Sequence, residues 1–127
     1  ATMPTDALRA FRDTMVETRD YGFEKLRDAQ WALGNGVRTM LSDKGITSVA
    51  AEGFGAPGVV VSYTSDAEIQ NGKKFAAEGL QIAAGVPLQC DEPDDYQTFR
   101  LGLFGLDKLH NVDRTVKYLA DALDHIL

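Results

Sequence analysis

The sequence predicts an α+β fold: a small antiparallel sheet covered by helices on one face, preceded by a long helical segment. Three observations carry that expectation. Apolar residues recur with helical period between residues 8 and 41 and again between 112 and 127. Between those stretches, short runs at 46–51, 58–63 and 97–104 carry β-branched or alternating apolar residues. Glycine, proline, serine and aspartate cluster at the joints, where a change of period needs turns and helix starts.

Pro4 and Thr5 open a first helix, in which Leu8, Phe11 and Met15 share one side. Gly22 interrupts it. The period restarts with Phe23, Leu26, Leu33, Val37, Met40 and Leu41, which predicts a second helix ending near Lys44 with Gly45 as its stop. Gly34-Asn35-Gly36 would be a hairpin signal between strands, but neither flank alternates. The helix therefore continues, and its two glycines, at ~1 kcal/mol each against alanine, imply close packing or a local break. Residues 46–51 and 58–63 read as strands joined by a turn over 53–57. Ser65-Asp66-Ala67-Glu68 has the spacing of a capping box and predicts a third helix to about Ala77. A short extended piece around Leu80-Gln81-Ile82 and a loop through Pro87, Cys90 and Asp91-Glu92-Pro93-Asp94-Asp95 follow. The last strand is 97–104. Asn111 then caps a final helix with Val112, Val116, Leu119, Leu123 and Leu127 on one side. The expected order is αα-ββ-α-β-β-α, with residues 1–45 a helical connector and 46–127 a small α+β domain, together one compact unit.

Composition bounds what such a domain does. A chain of 127 residues is one domain and buries roughly 65–70% of its unfolded surface. With 44% apolar and 25% charged residues it has an ordinary globular composition, which argues against disorder. A single cysteine, Cys90, excludes a disulfide scaffold, and with only two histidines, His110 and His125, it cannot complete a four-ligand zinc finger. The net charge of −6 argues against binding the phosphate backbone of nucleic acid. No apolar run approaches the ~20 residues of a membrane span, and no signal-peptide pattern opens the sequence. These features predict a cytoplasmic domain with neither a nucleic-acid nor a membrane partner.

Most candidate chemistry has a simpler structural account. Gly53-Phe54-Gly55-Ala56-Pro57-Gly58 has the spacing of a dinucleotide fingerprint, but it contains a proline and runs on into a strand instead of opening a helix. His110 and His125 have no nucleophile motif beside them. Cys90 sits among acidic residues, which raise a thiol pKa and quench its reactivity. Asp91, Glu92, Asp94 and Asp95 lack the alternating ligand pattern and central glycine of a calcium loop. Arg100 stands apart. Alternation puts Phe99, Leu101 and Leu103 on one face and Thr98, Arg100 and Gly102 on the other, so small neighbours leave a socket around the guanidinium. Such a fork can grip a carboxylate or phosphate, although pattern alone is also satisfied by a solvated surface arginine.

The stretch Phe99-Arg100-Leu101-Gly102-Leu103-Phe104-Gly105, followed by Asn111-Val112-Asp113-Arg114 and the closing helix, resembles the C-terminal end of class V aminotransferases of fold type I, the alanine–glyoxylate and serine–glyoxylate group. Thr2-Met3-Pro4, leading to Leu8 and Arg9, is similar to that family's Thr-x-Pro segment. Ala56-Pro57-Gly58 through Val61 and Ala83-Ala84-Gly85 fall where the family has a strand and a glycine bend. The resemblance covers essentially the whole sequence. It implies the small C-terminal domain of a pyridoxal-phosphate enzyme that works as a homodimer on a small amino acid, such as alanine or serine, and a 2-oxoacid, such as glyoxylate or pyruvate. By the same resemblance, Arg100 binds the substrate α-carboxylate and Thr2 touches the cofactor phosphate of the neighbouring subunit. The family's cofactor-binding lysine and its aspartate have no counterpart here. Lys44 closes a helix, where a cation complements the dipole, and is not assigned the lysine's role. The large cofactor-binding domain is therefore expected to be missing, no residue here is catalytic, and the 127 residues alone should be inactive. The alternatives are a stand-alone α+β regulatory module holding an acidic metabolite through Arg100, and a purely structural dimerisation piece.

Overall fold

The computed structural model describes residues 2–127. Its elements run α1 (Thr5–Tyr21), α2 (Phe23–Asp43), β1 (Val59–Tyr63), α3 (Ala67–Gln70), α4 (Lys73–Ala77), β2 (Ala83–Ala84), β3 (Thr98–Gly102), α5 (Leu106–Leu109) and α6 (Val112–Ile126). The fold is α+β. The three strands form one antiparallel sheet in the order β1-β3-β2, with β3 central. No helix among the described residues is long and apolar enough to cross a membrane.

The pairing register fixes which side chains share a face, because residues directly opposite across antiparallel strands point the same way. Val60 pairs with Leu101 and Ser62 with Phe99; all four are buried against the helices. The core joins these to Leu33, Val37 and Leu41 of α2, Phe75 of α4 and Leu119, Leu123 and Ile126 of α6. The opposite face carries Val59, Val61, Tyr63, Arg100 and Gly102, with Ala83 on the short outer strand.

The helix through Gly34-Asn35-Gly36 is unbroken, and its glycines are there for packing. A Cβ on Gly34 would stand 2.6 Å from the Pro57 carbonyl oxygen, and one on Gly36 would stand 3.2 Å from a Val116 methyl. Gln30 ties the same approach by donating from Nε2 to the carbonyls of Pro57 (3.0 Å) and Leu103 (3.1 Å).

Seven local expectations need correcting. Residues 46–51 form no strand beyond a single bridge, Ser48 with Ser62. The Ser48 hydroxyl instead accepts from Arg38 and from the Ala50 N–H, a local turn that competes with ladder pairing. The expected helix to Ala77 is two helices, split where Gly72 takes a left-handed φ of 82°. Its start is capped by Asp66, not Ser65, with Oδ1 accepting from the N–H groups of Glu68 and Ile69. The extended piece lies at Ala83–Ala84 instead of 80–82, and the last strand stops at Gly102, before Gly105 (φ 112°) opens the additional helix α5. Asn111 does not cap α6 with its side chain; its amide donates to the Asp107 carbonyl. Leu127 is exposed, and Ile126 takes the buried place expected of it.

Candidate functional site

Arg100 lies in the middle of β3, on the face the helices leave open. Its cross-strand neighbours there are Val61 and Ala83. The side chain is half-buried, and Nε donates to the Ala84 carbonyl at 2.9 Å. That bond turns the guanidinium so that Nε is used and the two terminal nitrogens remain. Among the described residues, no carboxylate comes within ion-pair distance of it, as the nine ion pairs all involve other cations. An arginine anchored through Nε offers its end-on fork to a carboxylate, the geometry of a bidentate, charge-assisted contact.

The socket around Arg100 is closed on one side and open on the other. Thr98 is almost fully buried, because Gly85 donates its N–H to the Thr98 carbonyl and lies flat against it. A Cβ on Gly85 would stand 2.1 Å from that oxygen, so only glycine lets this strand come close enough for Ala84 to hold Arg100. Tyr96 meets Tyr63 edge-on, with ring centroids 5.7 Å apart, and Tyr63 is the residue opposite Thr98. Gly102, on the other flank, is exposed.

Thr2 is exposed ahead of α1, and α1 packs chiefly on α2 instead of on the sheet. Within one chain, the structure does not bring Thr2 to Arg100. Lys44 ends α2 and forms an ion pair with Asp124 of α6, so the two longest core helices are clamped at that end.

The remaining titratable groups have local partners. Both Glu92 carboxylate oxygens accept backbone N–H groups, from Gln89 at 2.8 Å and Cys90 at 2.7 Å. Those bonds favour the ionised form and hold its pKa down to about 2. The Cys90 thiol is exposed, yet it is pushed up, by local desolvation first and then by the neighbouring Glu92 carboxylate, which disfavours the reactive thiolate. His110 stacks on Tyr21 with centroids 4.3 Å apart. His125 pairs with Glu78 at 3.0 Å.

Sequence reasoning located the face that carries Arg100, since alternation is local. It missed Ala84 and Gly85 as the groups that aim the side chain. Their signal was only the Ala83-Ala84-Gly85 run of small residues, which says nothing by itself about a partner sixteen residues along. Compared with known proteins, the sequence matches no family model and no curated protein.

Proposed function

We propose that this chain is the small C-terminal domain of a pyridoxal-phosphate-dependent aminotransferase of the class V, fold-type I group, with Arg100 as the residue that binds the substrate α-carboxylate. The parent enzyme moves an amino group from a small amino acid, alanine or serine, to a 2-oxoacid such as glyoxylate or pyruvate. The observation that carries the reading is Arg100 itself: an arginine without a carboxylate partner, anchored through Nε and half-buried on an open sheet face.

The division of labour follows from what the residues offer. Pyridoxal phosphate supplies the electron sink on which amino-group transfer depends. The Arg100 fork fixes the substrate by its carboxylate, so that the amino end is presented in one orientation. Thr2, an exposed hydroxyl, suits a hydrogen bond to the cofactor phosphate of a neighbouring subunit. Lys44 is engaged by Asp124 and does not fit covalent attachment of the cofactor, so that lysine belongs to the large domain. The substrate end fits this chain; the covalent end does not.

Two measurements test the reading. The protein expressed from the complete reading frame and purified with pyridoxal phosphate should show the visible absorbance of bound cofactor, altered on adding alanine or serine. In that enzyme, Arg100→Ala should raise KM for both substrates by about tenfold or more, the scale of one lost charge-assisted contact, and unchanged kinetics would remove Arg100 from the site. Calorimetry of the 127-residue chain with small carboxylates separates the regulatory alternative. Half an active site binds nothing tightly, whereas a stand-alone module binds at micromolar level, ~8 kcal/mol.

A further inference from the structure

The sheet leaves a second feature that the Arg100 reading does not use. The outer strand β2 pairs with β3 only at Ala83–Arg100 and Ala84–Phe99, and residues 80–82 then diverge from it. Leu103 donates its N–H to the Gly58 carbonyl on the β1 side, so the backbone groups of Gly102 face the other edge. No backbone hydrogen bond joins Gly102 to residues 80–82, and that edge is unpaired. The gap opens into a cavity of about 440 Å³ between the 80–82 segment, β3, α5 and α6, a volume in the range of small-molecule sites. Arg100 does not line it.

The cavity has two chemistries. Leu80, Ile82, Leu103 and Leu119 make its apolar part. Lys108 and Arg114 stand at the same cavity with one carboxylate, Asp107, between them. Lys108 Nζ is 3.8 Å from the Asp107 carboxylate, a loose pair, while Arg114 reaches only the Asp107 backbone carbonyl, at 3.4 Å. Two cations against one carboxylate leave local positive charge on a chain whose net charge is −6. The free Gly102 edge adds an N–H donor.

From this juxtaposition we infer that the groove binds a monocarboxylate with an apolar body, its tail on the leucine and isoleucine side chains and its carboxylate on Arg114 and Lys108. A neutral apolar ligand leaves the cations unused, and an amine meets repulsion at the rim. An apolar carboxylate satisfies both halves. Binding here is independent of pyridoxal phosphate and stands or falls apart from the role of Arg100.

The experiment is an amide NMR and calorimetric titration of the 127-residue chain with octanoate, set beside octylamine (same tail, opposite head) and acetate (head without tail). Octanoate should bind with a Kd of about 0.1–1 mM, roughly 4–5.5 kcal/mol, and shift the Gly102, Lys108 and Thr115 amides. Octylamine and acetate should bind about tenfold more weakly or worse. Arg114→Gln, an exposed change that leaves the fold intact, should weaken octanoate about tenfold; Asp107→Asn, which removes the opposing carboxylate, should tighten it. Equal binding of octylamine overturns the proposal, as does indifference to both variants. So does finding that the chain self-associates through this groove, with Tyr118→Asp abolishing a dimer that octanoate does not compete with.

Discussion

α1 and α6 are amphipathic helices of similar length and opposite fate. In α6, Leu119, Ala122, Leu123 and Ile126 all lie in the core, with Leu123 wholly enclosed. In α1 the stripe Leu8, Phe11 and Met15 is just as regular, yet no residue of that helix is buried, and Phe11 remains 63% exposed. Its polar side chains bond only locally, as in Thr14 and Thr18 donating to the carbonyls one turn back. Periodicity therefore shows that a helix has a face to cover and is silent on what covers it. For α6 the cover is α2 and the sheet. For α1, the aminotransferase reading supplies a large domain and a second subunit.

The largest expected effect tests that contrast directly. Leu123→Ala removes a fully enclosed side chain and should cost about 2–5 kcal/mol in chemical denaturation, whereas Phe11→Ala should change stability by no more than about 0.5 kcal/mol. A Phe11→Ala loss approaching that of Leu123→Ala would mean that α1 is covered in solution. The next effect sits in α2, which touches both helices. Gly34→Ala improves helix propensity by ~1 kcal/mol, yet its Cβ would meet the Pro57 backbone at 2.6 Å, so the net change should be destabilising by about 1–3 kcal/mol. A more stable Gly34→Ala protein would show that α2 and the 56–58 turn do not approach so closely.

The same contrast explains which parts of the molecule could be read from sequence. Phe99, Arg100 and Leu101 alternate, and a two-residue period is a property of the strand itself, so the Arg100 face was legible. The helix through Gly34 was legible too, but its reason was not, because Pro57 lies far along the chain. Residues 46–51 read as a strand on β-branched content, and the outcome was decided by Arg38, whose guanidinium holds Ser48 and the carbonyls of Ala56 and Val59. At the end of α6 the stripe was extended to Leu127, while the helix stops at Ile126 and turns that residue inward. The groove at Gly102 left no mark in the sequence, since it exists only because β2 is two residues long. Signals local to one element were legible; partners brought in from elsewhere were not.

The smallest effect lies within α6 itself, at its exposed end. His125 Nδ1 stands 3.0 Å from the Glu78 carboxylate, which joins the end of α6 to the residue that closes α4. The hydrogen bond that the His125 ring donates to Glu78 raises its pKa most, the negative charge of Glu78 adds to the rise, slight desolvation opposes it, and Asp124 and Asp121 add a smaller pull upward. A histidine whose pKa is raised by folding favours the native state while it is protonated in both states. This contribution is therefore complete below the unfolded value of about 6.5 and disappears as the pH climbs through the higher folded-state value. His125 is solvent-exposed and Glu78 half-buried, so the pair should fasten the α4–α6 contact locally without shifting global unfolding measurably. An NMR titration of the His125 ring should give a midpoint above 6.5, with amide exchange at residues 76–79 faster at pH 8 than at pH 6 beyond the intrinsic base-catalysed increase. Glu78→Gln should lower the midpoint, leaving only the smaller upward pull of Asp124 and Asp121, and remove the pH dependence of exchange. A midpoint at or below 6.5 in the unaltered chain would show that the pair does not form, leaving the buried stripe to hold α6 by itself.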